Sequence, residues 1–142
     1  MEQDIENDGD GMTNHEIIEK AKKLGLKNFK YFMSDELVGK TPDIKECGIV
    51  NLDDSTGEGT HHICYWINNR IKYCFDSFGV APPTELVDYL KKLNKRKITY
   101  STYIIQDLGD TNCSELCLYL LDRLNKGDNY KEIVLECLKK NS

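Results

Sequence analysis

Two strand-like runs, residues 61–67 and 70–76, flank Asn68-Asn69, and that pairing constrains the chain more than any other feature. Asparagine tolerates positive φ, so Asn68-Asn69 suits a two-residue hairpin turn. Such a turn sets the register: opposed residues sum to 137, and His61 and Asp76 satisfy that sum. Direct cross-strand neighbours hold their Cβ atoms about 4.5–5.5 Å apart, which brings an imidazole and a carboxylate within hydrogen-bond reach. The same register sets His62, Cys64 and Trp66 opposite Phe75, Tyr73 and Ile71, a face that needs cover from the rest of the domain, and so assigns His62 to packing.

A second constraint lies at Asn112-Cys113. Asn112 is a good N-cap and Glu115 stands three residues on, so a helix is expected from Cys113 to about Asn125, closed by Gly127. Free backbone N–H groups and the macrodipole at a helix N-terminus favour a thiolate. Position alone leaves a second reading open, because Cys113, Leu116, Cys117, Leu120, Leu121 and Leu124 form one apolar stripe of which Cys113 is the first member. A thiol that attacks a peptide carbonyl needs an imidazole to take its proton, a carboxylate to orient the imidazole, and donors for the oxyanion. His61, Asp76, Gln106 and Cys113 supply those types in one order, that of a cysteine peptidase.

The words around these residues are Thr13-Asn14, Asn28-Phe29, Glu46-Cys47-Gly48-Ile49-Val50-Asn51-Leu52-Asp53, Gly59-Thr60-His61, Phe75-Asp76-Ser77-Phe78-Gly79 with Pro82-Pro83, Gln106, and Asn112-Cys113 before Leu116-Cys117-Leu118-Tyr119. In this order they resemble the adenovirus-type maturation proteases, particularly the adenain-like relatives of virophages and polinton-like elements. The resemblance implies His61 as general base, Asp76 as its partner, Gln106 as an oxyanion-hole donor and Cys113 as nucleophile. It also implies endoproteolysis of viral capsid and core precursors during virion maturation, after small residues such as glycine, in the virion and in the cytoplasm of the host cell. Two positions depart from the pattern: His62 stands where the family usually has tryptophan, and Ser114 where it usually has glycine.

The expected fold is α+β: a small mixed or antiparallel sheet with the nucleophile-bearing helix packed on it. Thr13 and Glu16 form a capping box for a first helix that buries Ile17, Ile18 and Ala21 and stops at Gly25. Residues 48–52 read as a strand, and 84–94 as an amphipathic helix burying Leu86, Val87, Leu90 and Leu93. Residues 98–106 read as a strand that ends at Gln106, and 130–140 as a closing helix burying Ile133, Val134 and Cys137.

With 142 residues, one peptidase domain is expected over 13–142, behind a disordered acidic leader over 1–12. Glu2, Asp4, Glu6, Asp8 and Asp10 account for the net charge of -5, so the remaining chain is near neutral. The six cysteines lie mostly inside periodic elements with no apolar signal segment before them, which points to reduced thiols. No cofactor or metal is expected, since no Cys-x-x-Cys pair or finger spacing occurs. Cys47 is the alternative nucleophile, but no helix follows it. No run is long enough to cross a bilayer. Some adenovirus-type proteases use DNA with an activating peptide; the resemblance leaves the peptide open, while the charge balance argues that DNA is not required, Lys91–Lys97 reading as a solvated helix end. Two other functions fit the same order of residues: removal of ubiquitin-like modifiers, and a catalytically dead peptide-binding scaffold.

Overall fold

The hairpin that organises the sheet turns one residue later than the asparagine pair predicts. In a computed structural model, which describes residues 12–53, 61–105 and 113–140, strand β3 (His62–Asn68) pairs antiparallel with β4 (Ile71–Phe75), and Asn68 lies opposite Ile71. The turn residues are Asn69 and Arg70, with Asn69 alone taking positive φ, at 58°. Tertiary bonds hold it there: the Asn69 N–H donates to the Ile44 carbonyl (2.7 Å), and the Asn94 side chain to the Asn69 carbonyl (3.3 Å). Opposed residues therefore sum to 139, as Cys64 and Phe75 do, which corrects the expected register by two. An even shift preserves the faces, so every side chain keeps its expected side of the sheet.

Around this hairpin the sheet has five strands in the order β1-β2-β3-β4-β5. Strand β1 (Phe29–Met33) runs parallel to β2 (Lys45–Asn51), β2 antiparallel to β3, and β4 parallel to β5 (Thr99–Tyr100). The expected strand over 98–106 shrinks to two residues. Beyond Tyr100 the chain leaves the ladder: the Ser101 hydroxyl accepts from the Tyr103 N–H (3.1 Å), and the Ile105 N–H donates to the Ser77 carbonyl (2.8 Å).

Helices cover both faces, which explains why β3 is buried almost continuously instead of alternately. Its His62, Cys64 and Trp66 face a layer made by α1 (Asn14–Leu24), α3 (Cys113–Asn125) and α4 (Tyr130–Lys140). Ile63, Tyr65 and Ile67 face α2 (Thr84–Lys91) and the short 3-10 turn Ser34–Leu37. Helix α1 keeps the capping box and the left-handed Gly25, with Ile17 and Ala21 buried; Ile18, expected inside, is 37% exposed. Met12 packs against the core; residues 1–11 of the expected leader lie outside the described residues. In α2 the sequence pattern missed Tyr89, which is buried and donates, with Tyr65, to the buried Glu46 carboxylate (2.5 and 2.6 Å). Gly48 makes room for that network, since a Cβ there would lie 2.7 Å from the Tyr65 ring and hydroxyl.

Candidate active site

The Cys113 thiol sits at the first residue of α3, 3% exposed, where the helix packs on β3. Two bonds fasten helix to strand around one residue: the His62 N–H donates to Cys113 Sγ (3.3 Å), and Cys117 Sγ donates to the His62 carbonyl (3.7 Å). The helix from Cys113 to Asn125 has the expected bounds, and Gly127 follows with φ 96°. The expected cap Asn112, the expected oxyanion donor Gln106 and the word Gly59-Thr60 lie outside the described residues.

His61 precedes β3, and Asp76 follows β4, both just past the last paired residues. They are not the direct neighbours that a sum of 137 requires. Continuing the observed register sets His61 against Phe78, and those rings stack with centroids 4.3 Å apart and planes at 4°. Asp76 is then the diagonal neighbour, within reach of a long side chain, and its Oδ1 meets His61 Nε2 at 2.7 Å. The carboxylate is itself held by the Phe78 N–H (2.8 Å), inside a turn closed by the Gly79 N–H on the Asp76 carbonyl (2.8 Å). With Nε2 taken by Asp76, Nδ1 is the imidazole nitrogen left for the thiol.

The electrostatics follow. Burial alone would push the Cys113 thiol up, but hydrogen bonds from His61, from the His62 side chain and from the His62 backbone bring it down to about 6. Burial likewise opposes charge on His61, yet Asp76 and Cys113 outweigh it and raise the imidazole to about 9. Between those values the pair is a thiolate beside an imidazolium. All six cysteines are free and buried, and three of them run the opposite way: burial pushes Cys47 up to about 12 and Cys74 and Cys117 well above the ordinary range. Burial thereby keeps Cys47, the alternative nucleophile, as the protonated thiol at neutral pH. Ser114 is buried in the first turn of α3.

Sequence reasoning missed Tyr31, Asn51 and the closeness of His62 to the thiol. His62 Nδ1 lies 3.9 Å from Cys113 Sγ and Nε2 lies 3.0 Å from the Tyr31 hydroxyl, which accepts from Asn51 Nδ2 at 3.4 Å. The period-two pattern placed His62 on a face that needs cover from the rest of the domain; what it lacked was that α3 covers it with the thiol beside His62. Among the described residues no group of three His, Cys, Asp or Glu side chains could hold a metal ion, and no helix is long and apolar enough to cross a membrane.

No protein-family model and no curated protein matches this chain. Among solved structures it is similar to the ASFV pS273R protease, with a TM-score of 0.63 at 17% identity over 90% of this chain and 62% of that one. The selenomethionine form of the same protease gives a TM-score of 0.59 at 16% identity, covering 90% and 63%. This chain thus spans about 62% of that protease's length. The likeness shows the fold: an α+β architecture shared with that protease.

Proposed function

We propose that this chain is a viral cysteine peptidase that cuts capsid or core precursor polypeptides after small residues such as glycine. The observation that carries the reading is the line Asp76, His61, Cys113, with an acidic thiol at the start of a helix and an imidazole held by a carboxylate at 2.7 Å. In the mechanism, His61 Nδ1 takes the Cys113 proton and the thiolate adds to the scissile carbonyl. The Cys113 N–H and Gln106 receive the oxyanion. His61 then returns its proton to the leaving amine, and water hydrolyses the acyl-enzyme. In support of Gln106, its neighbour Ile105 is bonded to Ser77, the residue after Asp76.

The substrate class and the setting in the virion and the host cytoplasm come from the sequence resemblance and the viral neighbour. DNA is not a required activator in this reading; an activating peptide is compatible with it. The test is cleavage of candidate precursor peptides by the purified chain and by Cys113→Ala. Cleavage after glycine by the wild type, its loss in a folded Cys113→Ala, and fastest iodoacetamide labelling at Cys113 are expected. Turnover retained in Cys113→Ala, or labelling of Cys47 with Cys113 inert, would overturn the assignment.

A further inference from the structure

The mechanism above uses one imidazole, yet two face the thiol. We propose that His62 is a second catalytic imidazole, a neutral donor that holds the Cys113 thiolate through its Nδ1–H and its backbone N–H, with its tautomer set by Tyr31 and Asn51. The proposal rests on the peptidase reading and adds a residue to its machinery.

The tautomer follows from the bonds behind the ring. Asn51 Nδ2 has only protons to give, so the Tyr31 oxygen accepts from it (3.4 Å). The hydroxyl's own proton then points to its other hydrogen-bond partner, His62 Nε2 (3.0 Å); among the described residues, Glu36 and Cys113 act on the phenol through space, with no hydrogen bond to it. Burial raises the Tyr31 phenol above its ordinary value, so it keeps that proton. A neutral imidazole that accepts at Nε2 carries its hydrogen at Nδ1, the atom 3.9 Å from Cys113 Sγ. The converse arrangement, with Nδ1 bare and ready to take the thiol proton, would leave the Tyr31 proton without an acceptor. His62 therefore receives no proton from the thiol; it donates to the thiolate, and His61 remains the base.

The backbone points the same way. The His62 N–H donates to Cys113 Sγ (3.3 Å), so one residue gives the sulfur two donors from β3, while α3 supplies the third influence through its N-terminus. The titratable groups in contact with His62 are Tyr31 from β1, Cys113 and Cys117 from α3, and the adjacent His61. A tryptophan at this position could offer one indole N–H but no acceptor for Tyr31, so the Tyr31–His62 pair is a device of its own.

The experiment reads the thiol without a substrate: the pH dependence of Cys113 alkylation by iodoacetamide in wild type, His62→Phe, His62→Asn and Tyr31→Phe, with folding checked by circular dichroism. The wild-type midpoint should lie well below that of a free cysteine. His62→Phe, which keeps the backbone donor and loses the ring donor, should raise it by about one pH unit. His62→Asn, whose amide nitrogen falls near the place of Nδ1, should recover most of the shift. Tyr31→Phe should move the midpoint the same way by a smaller step, and it serves as the deciding variant if His62→Phe does not fold. An acidic wild-type thiol with no shift in His62→Phe or Tyr31→Phe overturns the role of His62 and leaves the peptidase reading intact. A wild-type midpoint like that of a free thiol overturns both.

Discussion

At the scale of single residues, the proposed mechanism divides the work unequally between His61 and Asp76. In the proposed mechanism His61 takes the thiol proton, so His61→Ala should lower turnover by about 10³–10⁴-fold while the fold persists. Asp76 acts through the imidazole in that mechanism, and Asp76→Ala should cost less than His61→Ala, with Asp76→Glu partly restoring turnover. The pH profile gives a sharper sign. With Cys113 lowered to about 6 and His61 raised to about 9, kcat/KM should rise through the first value as the thiolate forms and fall through the second as the proton for the leaving amine is lost. Asp76 is among the causes that raise His61, so Asp76→Ala should move the alkaline limb down toward neutrality. An alkaline limb that stays near 9 in that variant would detach Asp76 from the imidazole. These two residues were legible from strand parity even though the register was misplaced, because an even slip keeps side chains on their faces. Tyr31 and Asn51 were not, since only the β1-β2-β3 pairings bring them to His62.

At the scale of elements, the turn after β4 shows how a short word serves the site. Gly79 has φ 72°, and a Cβ there would stand 2.6 Å from the Thr102 carbonyl oxygen and 2.8 Å from that of Tyr103. The glycine lets segment 101–105 pass against the Asp76 turn, and that segment leads to Gln106. Gly25 has the same φ of 72° with nothing within 4 Å. The two separate conformational strain from close approach. Gly25→Ala should cost about 1 kcal/mol in urea unfolding and leave turnover intact. Gly79→Ala adds a backbone clash, should cost about 2–4 kcal/mol, and should lower turnover by displacing the segment beside the site. Equal losses in both would show that the close approach does not matter. The short β5 belongs here too: its alternation read as a long strand, but Ser101 and the Ser77 carbonyl claim backbone bonds that a longer ladder would need. Competition of that kind depends on tertiary neighbours and leaves no period in the sequence.

At the scale of the whole molecule, the basic run of the sequence is not a plain helix end. Helix α2 stops at Lys91, and residues 94–97 curl over Lys72, whose ammonium donates to the Asn94 carbonyl (2.6 Å) and the Arg96 carbonyl (3.3 Å). A cavity of about 800 Å³ forms there, lined by Arg70, Lys72, Lys95, Arg96 and Lys97 among others. Lys72 is itself buried, so the exposed charge rests on Arg70, Lys95, Arg96 and Lys97. Four such cations are enough to attract a phosphate backbone weakly at low salt. They stand at the turn end of the β3–β4 hairpin, while His61 and Asp76 stand at its other end, about 16 Å along β4 at the rise of a strand. The cations therefore stand at the opposite end of the hairpin from the turn that holds Asp76. With about four phosphates neutralised, affinity should fall about 10²-fold between 50 and 200 mM salt. Turnover should be unchanged by duplex DNA at either salt, measured on one peptide with DNA binding followed in parallel by fluorescence anisotropy. A large rise in turnover that appears with DNA at low salt and disappears at high salt would show that this remote basic cleft controls the active site and that the charge argument against a DNA activator is wrong.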